Sequence, residues 1–504
     1  MKKFWKYTTI TLLLLIGLCA IGLLYLFFLP EKSLFGLTYK GSPTKQVSES
    51  FSSDQASTII VNSNHFEFQV LPSSDDTIYL EIQNKTFGFT TTKRKPSSVS
   101  TRLKNNVLTF DVTETTGAVF KNDSKTILYI PANIQKNLYL SNKKAKTSIS
   151  SNQIVLNEFR YSTEKGDLTL SNCEIKSDIK LSLNKATCMV EESTKTNDNK
   201  LNISLSTGAL NATNSSFGDV TIDSNDRGNV RIKSCQDLFC EQDQAGGNIE
   251  IDSVKNITSF SSSDTNVKIN TVEQSINNLT LTKSGKVNIG NIEGQAKITT
   301  QDGNIVVDSS KSTLYVSSTH GDITVNNAHT KVGVSNVYGN STINFVYDET
   351  TPDQVRTLFA KLEKGNLNSK NATLVQIDVE NEGTSNINLY MPNILGTSLE
   401  QNYVHSKNGS CYIKVNKQAK FRLYVKGTTS IPMNHETSNI KAQFGQFAEY
   451  GGKYLQKNHS TNYNSEGEFI NYANYNEYNA DPNKVDFELS NGNGYFFVTD
   501  DIAY

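Results

Sequence analysis

The sequence predicts an all-β protein, a β-solenoid with coils of about 18–20 residues, preceded by one transmembrane helix and carrying a short helical insertion. The main observation is a recurring motif in which Gly precedes Asn or Asp and then alternating aliphatic residues. The motif returns at intervals of about 18–20 residues, a period that is typical of stacked coils. Its members are Gly247 to Ile251, Thr265 to Ile269, Gly285 to Ile289, Gly303 to Val307, Gly321 to Val325 and the degenerate Gly339 to Ile343.

Composition supports a solenoid more than a compact globule. The chain has 504 residues, yet only 36% are hydrophobic, with nine Pro and one Trp. Stacked coils need few aliphatic residues each, because every coil buries its apolar side against its neighbours. The formal net charge is −1 and the basic residues are scattered, which argues against nucleic acid as a partner.

The motif itself predicts a corner followed by a strand. Gly accepts positive φ, Asn and Asp tolerate the same turn, and the alternation that follows is typical of a half-buried strand. Second strands are expected between the glycines, as at Thr313 to Val316 and Lys331 to Val334. One coil would therefore hold at least two short strands and two corners.

An uncharged stretch over residues 7–29 predicts a transmembrane helix, because about 20 apolar residues in a helix span the hydrocarbon core of a bilayer. Lys2, Lys3 and Lys6 precede it, so the positive-inside rule keeps residues 1–6 in the cytoplasm as a short stub. The rest of the chain would lie outside, as in a single-pass cell membrane protein. A cleaved signal peptide is the alternative.

The segments after the helix differ in pattern. Residues 30–57 are expected to be a linker, 58–150 an N-terminal β region, and 151–348 the solenoid repeats. Further strands are expected in 367–430. A region rich in Tyr and Asn, residues 431–504, ends in two strand patterns that predict a closing hairpin.

The repeat is interrupted at residues 349–366, where the signals favour a helix from Pro352 to Lys364. Thr351 is a possible N-cap, Pro352 suits the first helical position, and Gly365 is a stop signal. The apolar residues would share one helix face, which we expect to cap or flank the solenoid core. They are Val355, Leu358, Phe359 and Leu362.

A strand ending in Leu128-Tyr-Ile-Pro131, followed by the repeated glycine motifs, resembles the bacterial "putative adhesin" family of β-strand-repeat proteins. The resemblance covers about Thr126 to Ile343. It implies an exported or membrane-anchored solenoid with no catalytic residue and no cofactor. The segment from Pro352 to Lys364 and the long C-terminal region depart from the pattern.

Motifs for chemistry are scarce. The six His residues lack metal-binding spacing and no Gly-x-Ser-x-Gly motif occurs, so no catalytic, cofactor or metal site is expected. Two local cysteine pairs are candidate disulfides on the outer side of a membrane. The alternative is that these cysteines replace small aliphatic residues in the core. The pairs are Cys173 with Cys188 and Cys235 with Cys240.

Exposed tyrosines among polar residues form the candidate binding surface, namely Tyr463, Tyr472, Tyr475 and Tyr478. A weakly ordered terminal segment is the alternative. We expect a non-catalytic adhesin-like or cell-envelope scaffold protein whose partner is a cell-surface glycan or an envelope protein. The alternatives are a carbohydrate-active β-helix enzyme, revealed by acidic residues clustered on one face, and the ectodomain of an envelope-stress sensor.

Overall fold

The structure is a computed structural model. It describes residues 2–28, 32–34, 37–39, 44–64, 67–84, 86–91, 97–113, 118–122, 124–191, 199–241, 246–351, 353–395, 401–415, 422–428, 440–443, 453–459, 464–470, 486–491 and 495–499. The chain divides into two units. Unit 1 comprises residues 1–219 and 227–233, and unit 2 comprises residues 220–226 and 234–504.

One α-helix and one 3₁₀ turn accompany the strands in the described residues; these are α1 (Lys2–Phe28) and Ser53–Gln55. The strands up to residue 241 are β1 (Lys32–Leu34), β2 (Leu37–Tyr39), β3 (Thr44–Val47), β4 (Phe51–Ser52), β5 (Thr58–Ser63), β6 (Glu67–Ser73), β7 (Thr77–Asn84), β8 (Thr86–Thr91), β9 (Ser98–Lys104), β10 (Val107–Thr113), β11 (Ala118–Asn122), β12 (Lys125–Pro131), β13 (Lys136–Asn142), β14 (Lys146–Ser150), β15 (Val155–Thr163), β16 (Leu168–Ser171), β17 (Glu174–Ile175), β18 (Ile179–Leu183), β19 (Thr187–Val190), β20 (Leu201–Leu205), β21 (Ala209–Asn225) and β22 (Asn229–Glu241).

The strands after residue 241 are β23 (Gly246–Ser262), β24 (Asp264–Leu281), β25 (Val287–Ile292), β26 (Ala296–Thr300), β27 (Ile305–Ser310), β28 (Leu314–Ser318), β29 (Ile323–Ala328), β30 (Lys331–Asn336), β31 (Ser341–Phe345), β32 (Thr357–Leu362), β33 (Leu367–Lys370), β34 (Leu374–Thr384), β35 (Ile387–Met391), β36 (Asn402–Asn408), β37 (Ser410–Val415), β38 (Arg422–Thr428), β39 (Ile440–Gln443), β40 (Lys453–His459), β41 (Asn464–Ile470), β42 (Asp486–Asn491) and β43 (Tyr495–Thr499).

Unit 1 is a stack of coils with two parallel sheets. One sheet runs through β10, β5, β13, β15, β18 and β20, and the other through β12, β6, β14, β16, β19 and β21. Antiparallel strands close the N-terminal end, because β9 pairs with β10 and β7 pairs with β12. Such strands cover a sheet edge that would otherwise offer its free backbone groups to another chain.

Unit 2 repeats this arrangement with the predicted period. Hydrogen bonds between equivalent corner positions span 18 residues from Asn248 to Asn266 and 20 residues from Asn266 to Lys286. The expected second strands are also present as β28 and β30, which pair in parallel. The prediction of a β-solenoid with at least two strands per coil is therefore confirmed. The register of one sheet joins Ile249, Val267, Val287, Ile305 and Ile323.

The core is a narrow aliphatic column between the two sheets. Ile305, Val307, Ile323 and Val325 are each 0% exposed, and the residues between them face outward. Burying one such side chain stabilises the fold by about 1.5–3 kcal/mol relative to its exposure. The alternation in the sequence therefore sets which face of each strand lies inside.

The corner positions require glycine mainly because the backbones of successive coils approach each other closely there. Positive φ, the reason expected from the sequence, occurs at Gly247, Gly285 and Gly409. Elsewhere the glycine of one coil lies against the glycine of the coil before, and a Cβ at Gly321 would stand 2.0 Å from the carbonyl oxygen of Gly303. We call this series the glycine column; its members are Gly285, Gly303, Gly321, Gly339 and Gly365.

The Asn or Asp after each glycine forms a hydrogen-bonded ladder. Asp322 Oδ1 accepts the backbone N–H of Asn340 at 2.8 Å, and Asn304 Oδ1 accepts that of Asp322 at 3.0 Å. The ladder continues as Asn340 and Asn366 accept the N–H groups of the following coils, each at 3.3 Å. The side chain therefore supplies an acceptor to the next coil at the corner.

The predicted helix from Pro352 to Lys364 is wrong. Residues 357–362 form β32, which pairs in parallel with β30 on one side and β34 on the other. Leu358 and Leu362 point inward, whereas Phe359 points outward and Val355 is 36% exposed. Backbone pairing to two neighbouring coils outweighs the local helix signals, since strand propensity depends on such context.

The predicted closing hairpin at the C-terminus is also wrong. Strand β42 pairs in parallel with β36 and β38, and β43 pairs in parallel with β37 and β39. The two strands therefore belong to opposite sheets of a further coil. Antiparallel pairing occurs instead in the series β38, β41 and β40.

The four cysteines proposed as disulfide partners are buried thiols, so the predicted disulfides are not formed. Cys188 occupies a core position in register with Leu168 and Leu210. Burial raises its pKa, and burial raises the pKa of Cys240 to about 12, with Glu241 nearby adding to the shift. Cys188 therefore takes a position that its neighbours in the stack fill with leucine, as the alternative interpretation expects.

The N-terminal helix α1 is 27 residues long. Within the residues that the structure describes, no helix meets the length and hydropathy required to cross a membrane.

Candidate functional site

A shallow pocket with a volume of about 280 Å³ lies on the outer side of one sheet. This sheet is formed by β26, β28, β30, β32, β34 and β36. We call this pocket the groove. These strands pair in parallel in that order, so the same face of six successive coils is presented to solvent. Each strand contributes two outward-facing positions, because the residue between them points into the core.

The register arranges these side chains in two rows across the coils. The first row consists of Lys297, Tyr315, Gly333, Phe359, Gln376 and Tyr403. The second row consists of Thr299, Ser317, Ser335, Lys361, Asp378 and His405. The first row is therefore aromatic at every second coil, and the second row is polar throughout.

The aromatic residues of the first row are evenly spaced in their backbone positions along the stack. Tyr315, Phe359 and Tyr403 are separated by two strands each, which corresponds to about 9.6 Å along the stack. Tyr315 is 49% exposed. Rings in this arrangement form a series of flat apolar platforms.

Gly333 makes room for the ring of Tyr315. A Cβ at this position would lie 2.5 Å from Cδ1 of Tyr315, so the tyrosine ring rests where a side chain would otherwise be. The ring therefore leans from β28 over the neighbouring strand β30. This glycine serves side-chain packing on the outer face, unlike the glycines of the column.

A polar network closes one end of the groove. The Tyr403 hydroxyl donates to Asp378 Oδ2 at 3.4 Å, and His405 Nδ1 lies 3.2 Å from Asp378 Oδ1. The rings of Tyr403 and His405 stack with centroids 4.6 Å apart. Burial and the neighbouring Asp378 carboxylate raise the pKa of Tyr403, so its hydroxyl stays protonated and donates.

Three lysines give the groove a positive balance. Lys297 and Lys361 lie in the two rows, and the Lys331 ammonium stands 4.1 Å from the centre of the Phe359 ring. Asp378 is the one carboxylate among the described residues that line the groove. The two lysines among the lining residues, together with Lys331, outnumber this carboxylate, so the groove has a positive balance of charge.

A second exposed cluster lies beside the glycine column. His320 Nδ1 is 2.6 Å from Asp302 Oδ1, and its ring stacks on Tyr338 with centroids 4.8 Å apart. The Lys364 ammonium lies 5.4 Å from the Tyr338 ring. The four residues of this cluster each directly precede a glycine of the column, so the coil repeat places their side chains in one row. They are Asp302, His320, Tyr338 and Lys364. Surface pairs of this kind contribute about 0–1 kcal/mol each.

The residues proposed from sequence as a binding surface are not described by the structure. Tyr463, Tyr472, Tyr475 and Tyr478 lie outside the described residues. The sequence analysis assigned Phe359 to the apolar face of a predicted helix. It therefore did not place Phe359 in one row with Tyr315. The available signal was an aromatic residue at an outward position of strand patterns such as Leu314-Tyr-Val316.

Metal-binding geometry is not found in the part of the chain that the structure describes. No group of three or more His, Cys, Asp or Glu side chains there is placed to hold a metal ion.

No family model matches the sequence, and no curated protein matches it. Solved structures are similar at low identity. A "putative cell adhesion protein" from Clostridium sporogenes ATCC 15579 is 8% identical, with 91% of this chain and 99% of that chain covered and a TM-score of 0.20.

Two further solved structures are each named a "putative adhesin". The one from Bacteroides fragilis NCTC 9343 is 11% identical, with 69% of this chain and 97% of that chain covered and a TM-score of 0.17. The one from Parabacteroides merdae ATCC 43184 is 15% identical, with the same coverage and a TM-score of 0.16. These names match the resemblance drawn from the sequence, and their degree of similarity assigns no activity.

Proposed function

We propose that the protein is a non-catalytic, adhesin-like binding or scaffold protein of the cell envelope, anchored in the membrane by α1 with its β-coils outside the cytoplasm. The observation that carries the proposal is the groove, a binding surface built from the same outward positions of six coils. Such a surface suits an extended partner, because each coil adds one more pair of contact residues.

The character of α1 supports the anchor. The segment is uncharged from Tyr7 onward, and Leu12, Leu13 and Leu14 are 61%, 62% and 63% exposed. A helix that is apolar on all sides gains from insertion into lipid, and the three lysines before it favour a cytoplasmic N-terminus.

The single carboxylate of the groove favours binding over catalysis. Most glycoside hydrolases use two carboxyl groups about 5–9.5 Å apart, one of them as an acid. Asp378 is instead engaged with Tyr403 and His405.

The test uses the full chain expressed in a bacterium. We expect to find the protein in the membrane fraction. A membrane-impermeant reagent should label its lysines in spheroplasts, from which the outer barrier has been removed. The purified protein should bind isolated cell envelope and release no reducing sugars from it. The double variant Leu13→Arg with Leu14→Arg should leave the membrane, whereas Leu13→Ile should remain. Release of sugars, or lysines that the reagent does not label in spheroplasts, would overturn the proposal.

A further inference from the structure

We propose that the groove binds a linear, carboxylate-bearing polysaccharide whose chain runs along the coil stack, across the strands; this rests on the proposed binding function and names its ligand class. The sugar rings would stack on Tyr315, Phe359 and Tyr403. The lysines would contact the carboxylates.

The spacing of the platforms matches an extended sugar chain. Successive coils advance by about 4.8 Å, close to the length of one pyranose unit in an extended chain. An aromatic ring at every second coil therefore meets every second sugar on the same face. Gln376, between Phe359 and Tyr403, carries no ring, so a sugar that does not stack can lie over this position.

The second row supplies the hydrogen bonds that a sugar requires. Ser317 and Ser335 lie beside Tyr315 and Gly333, and their hydroxyl groups can donate to and accept from sugar hydroxyl groups. A chain lying along the first row would meet such a hydroxyl group at three successive coils, from Thr299, Ser317 and Ser335. Polar side chains at a fixed interval set the direction and the register of the ligand.

Charge selects an acidic chain. Lys297, Lys331 and Lys361 exceed the single carboxylate Asp378, so the groove attracts anions. The interval between Lys297 and Lys361 is three strands, which places the two ammonium groups over different sugars. A carboxylate on the repeating sugar would meet this pattern.

A peptide that adds a strand does not fit the groove. Such a peptide needs a sheet edge with free backbone groups, and the strands β28 to β34 are paired on both sides. Single-stranded nucleic acid can also stack on aromatic residues, but it carries a phosphate at every nucleotide and needs a continuous cationic track. The groove offers neutral hydroxyl groups along much of that path.

The experiment measures binding of three probes to the full chain in detergent by calorimetry. The probes are polygalacturonate oligomers, neutral cello-oligosaccharides of equal length and oligo(dT). We expect the polygalacturonate oligomers to bind most tightly and their affinity to fall as salt rises. Absence of binding, equal affinity for the neutral chain or tighter binding of oligo(dT) would overturn the proposal.

Variants test the groove itself. Tyr315→Ala and Phe359→Ala should each weaken polygalacturonate binding about fivefold, since a stacked ring contributes on the order of 1 kcal/mol. Tyr412→Ala is the matched control, because this tyrosine is 50% exposed but lies on β37 of the opposite sheet. Its affinity should change less than about twofold. An equal loss in Tyr315→Ala and Tyr412→Ala would contradict the groove as the site.

The two proposals fail differently. If isolated cell envelope retains the wild-type chain and the variants Tyr315→Ala and Phe359→Ala equally well, the polysaccharide groove is wrong while the binding function stands. If the wild-type chain is not retained, the binding function is wrong.

Discussion

The regular coils before Phe345 and the longer coils after it keep one register although their lengths differ. In the regular coils equivalent corner residues are 18 residues apart, as in Asn304 and Asp322. In the first of the longer coils the interval from Asn340 to Asn366 is 26 residues. The strands on both sides of this change still pair in parallel without a shift. Coil length is therefore not what sets the pairing.

Two features persist through both regions. The inward residues of the strands remain buried, and the corner contacts continue through Gly365 and Asn366. The extra residues leave the stack as loops, such as the one that holds Asp348 and Thr350, both exposed. Thr350 donates hydrogen bonds to Asp348, which lowers the pKa of this carboxyl group.

Arg356 secures the return of the first loop to the stack. Its side chain is 0% exposed and its backbone N–H donates to Thr373 Oγ1 at 2.8 Å. The guanidinium lies 5.6 Å from the ring of Tyr347, and burial lowers its pKa. The guanidinium also donates to the carbonyl oxygens of Gln354 and Thr351 at 3.4 and 3.5 Å, so this side chain links the end of the loop to the start of β32.

The glycine column offers the strongest test that both regions share one corner. Gly321→Ala in a regular coil and Gly365→Ala in a longer coil should each reduce the free energy of unfolding by about 3 kcal/mol, because the new Cβ would strike a backbone carbonyl. Urea unfolding followed by circular dichroism measures the loss.

Gly333→Ala is the control for the column. Its Cβ would meet only the exposed ring of Tyr315, which can rotate away, so we expect a loss below about 1 kcal/mol. A cost at Gly365 no larger than that at Gly333 would show that the corner of the longer coils is built differently.

The ladder should have a smaller effect. Asp322→Ala and Asn366→Ala each remove an acceptor from a backbone N–H of the next coil, which should cost about 1 kcal/mol. Hydrogen exchange at the amides of Asn340 and Asn386 should become faster in the respective variants. Asp322→Asn keeps an acceptor oxygen and should leave the exchange of Asn340 nearly unchanged; equally fast exchange would rule out the ladder.

Loop length should matter least. Insertion of Gly-Ser after Glu349 should cost less than about 1 kcal/mol, because loop closure entropy grows slowly with length. The same insertion after Asn326, within β29, moves Ala328 two positions out of register with Ser310 and Phe345 and should cost several-fold more. Thermal unfolding of the two variants measures the difference, and similar losses would mean that the loop takes part in the register.

The predicted fold came from patterns that are local in the chain. The Gly-Asn/Asp motif and the alternation after it fix the corners and the inward faces, so the regular coils were predicted with their second strands. The helix at Pro352 to Lys364 was wrong for the same reason: Thr351, Leu358 and Phe359 satisfy helix rules locally, and only pairing with β30 and β34 makes the segment a strand.

The sequence by itself determined the coil period, the residues of the core and the glycine corners, because each depends on the size and spacing of neighbouring side chains. The composition of the groove was decided by the tertiary structure alone. Tyr315, Phe359 and Tyr403 lie far apart in the chain and do not follow the period of the glycine motif. They form one row because the register of six strands brings their outward positions together, and loops of unequal length conceal this from the sequence.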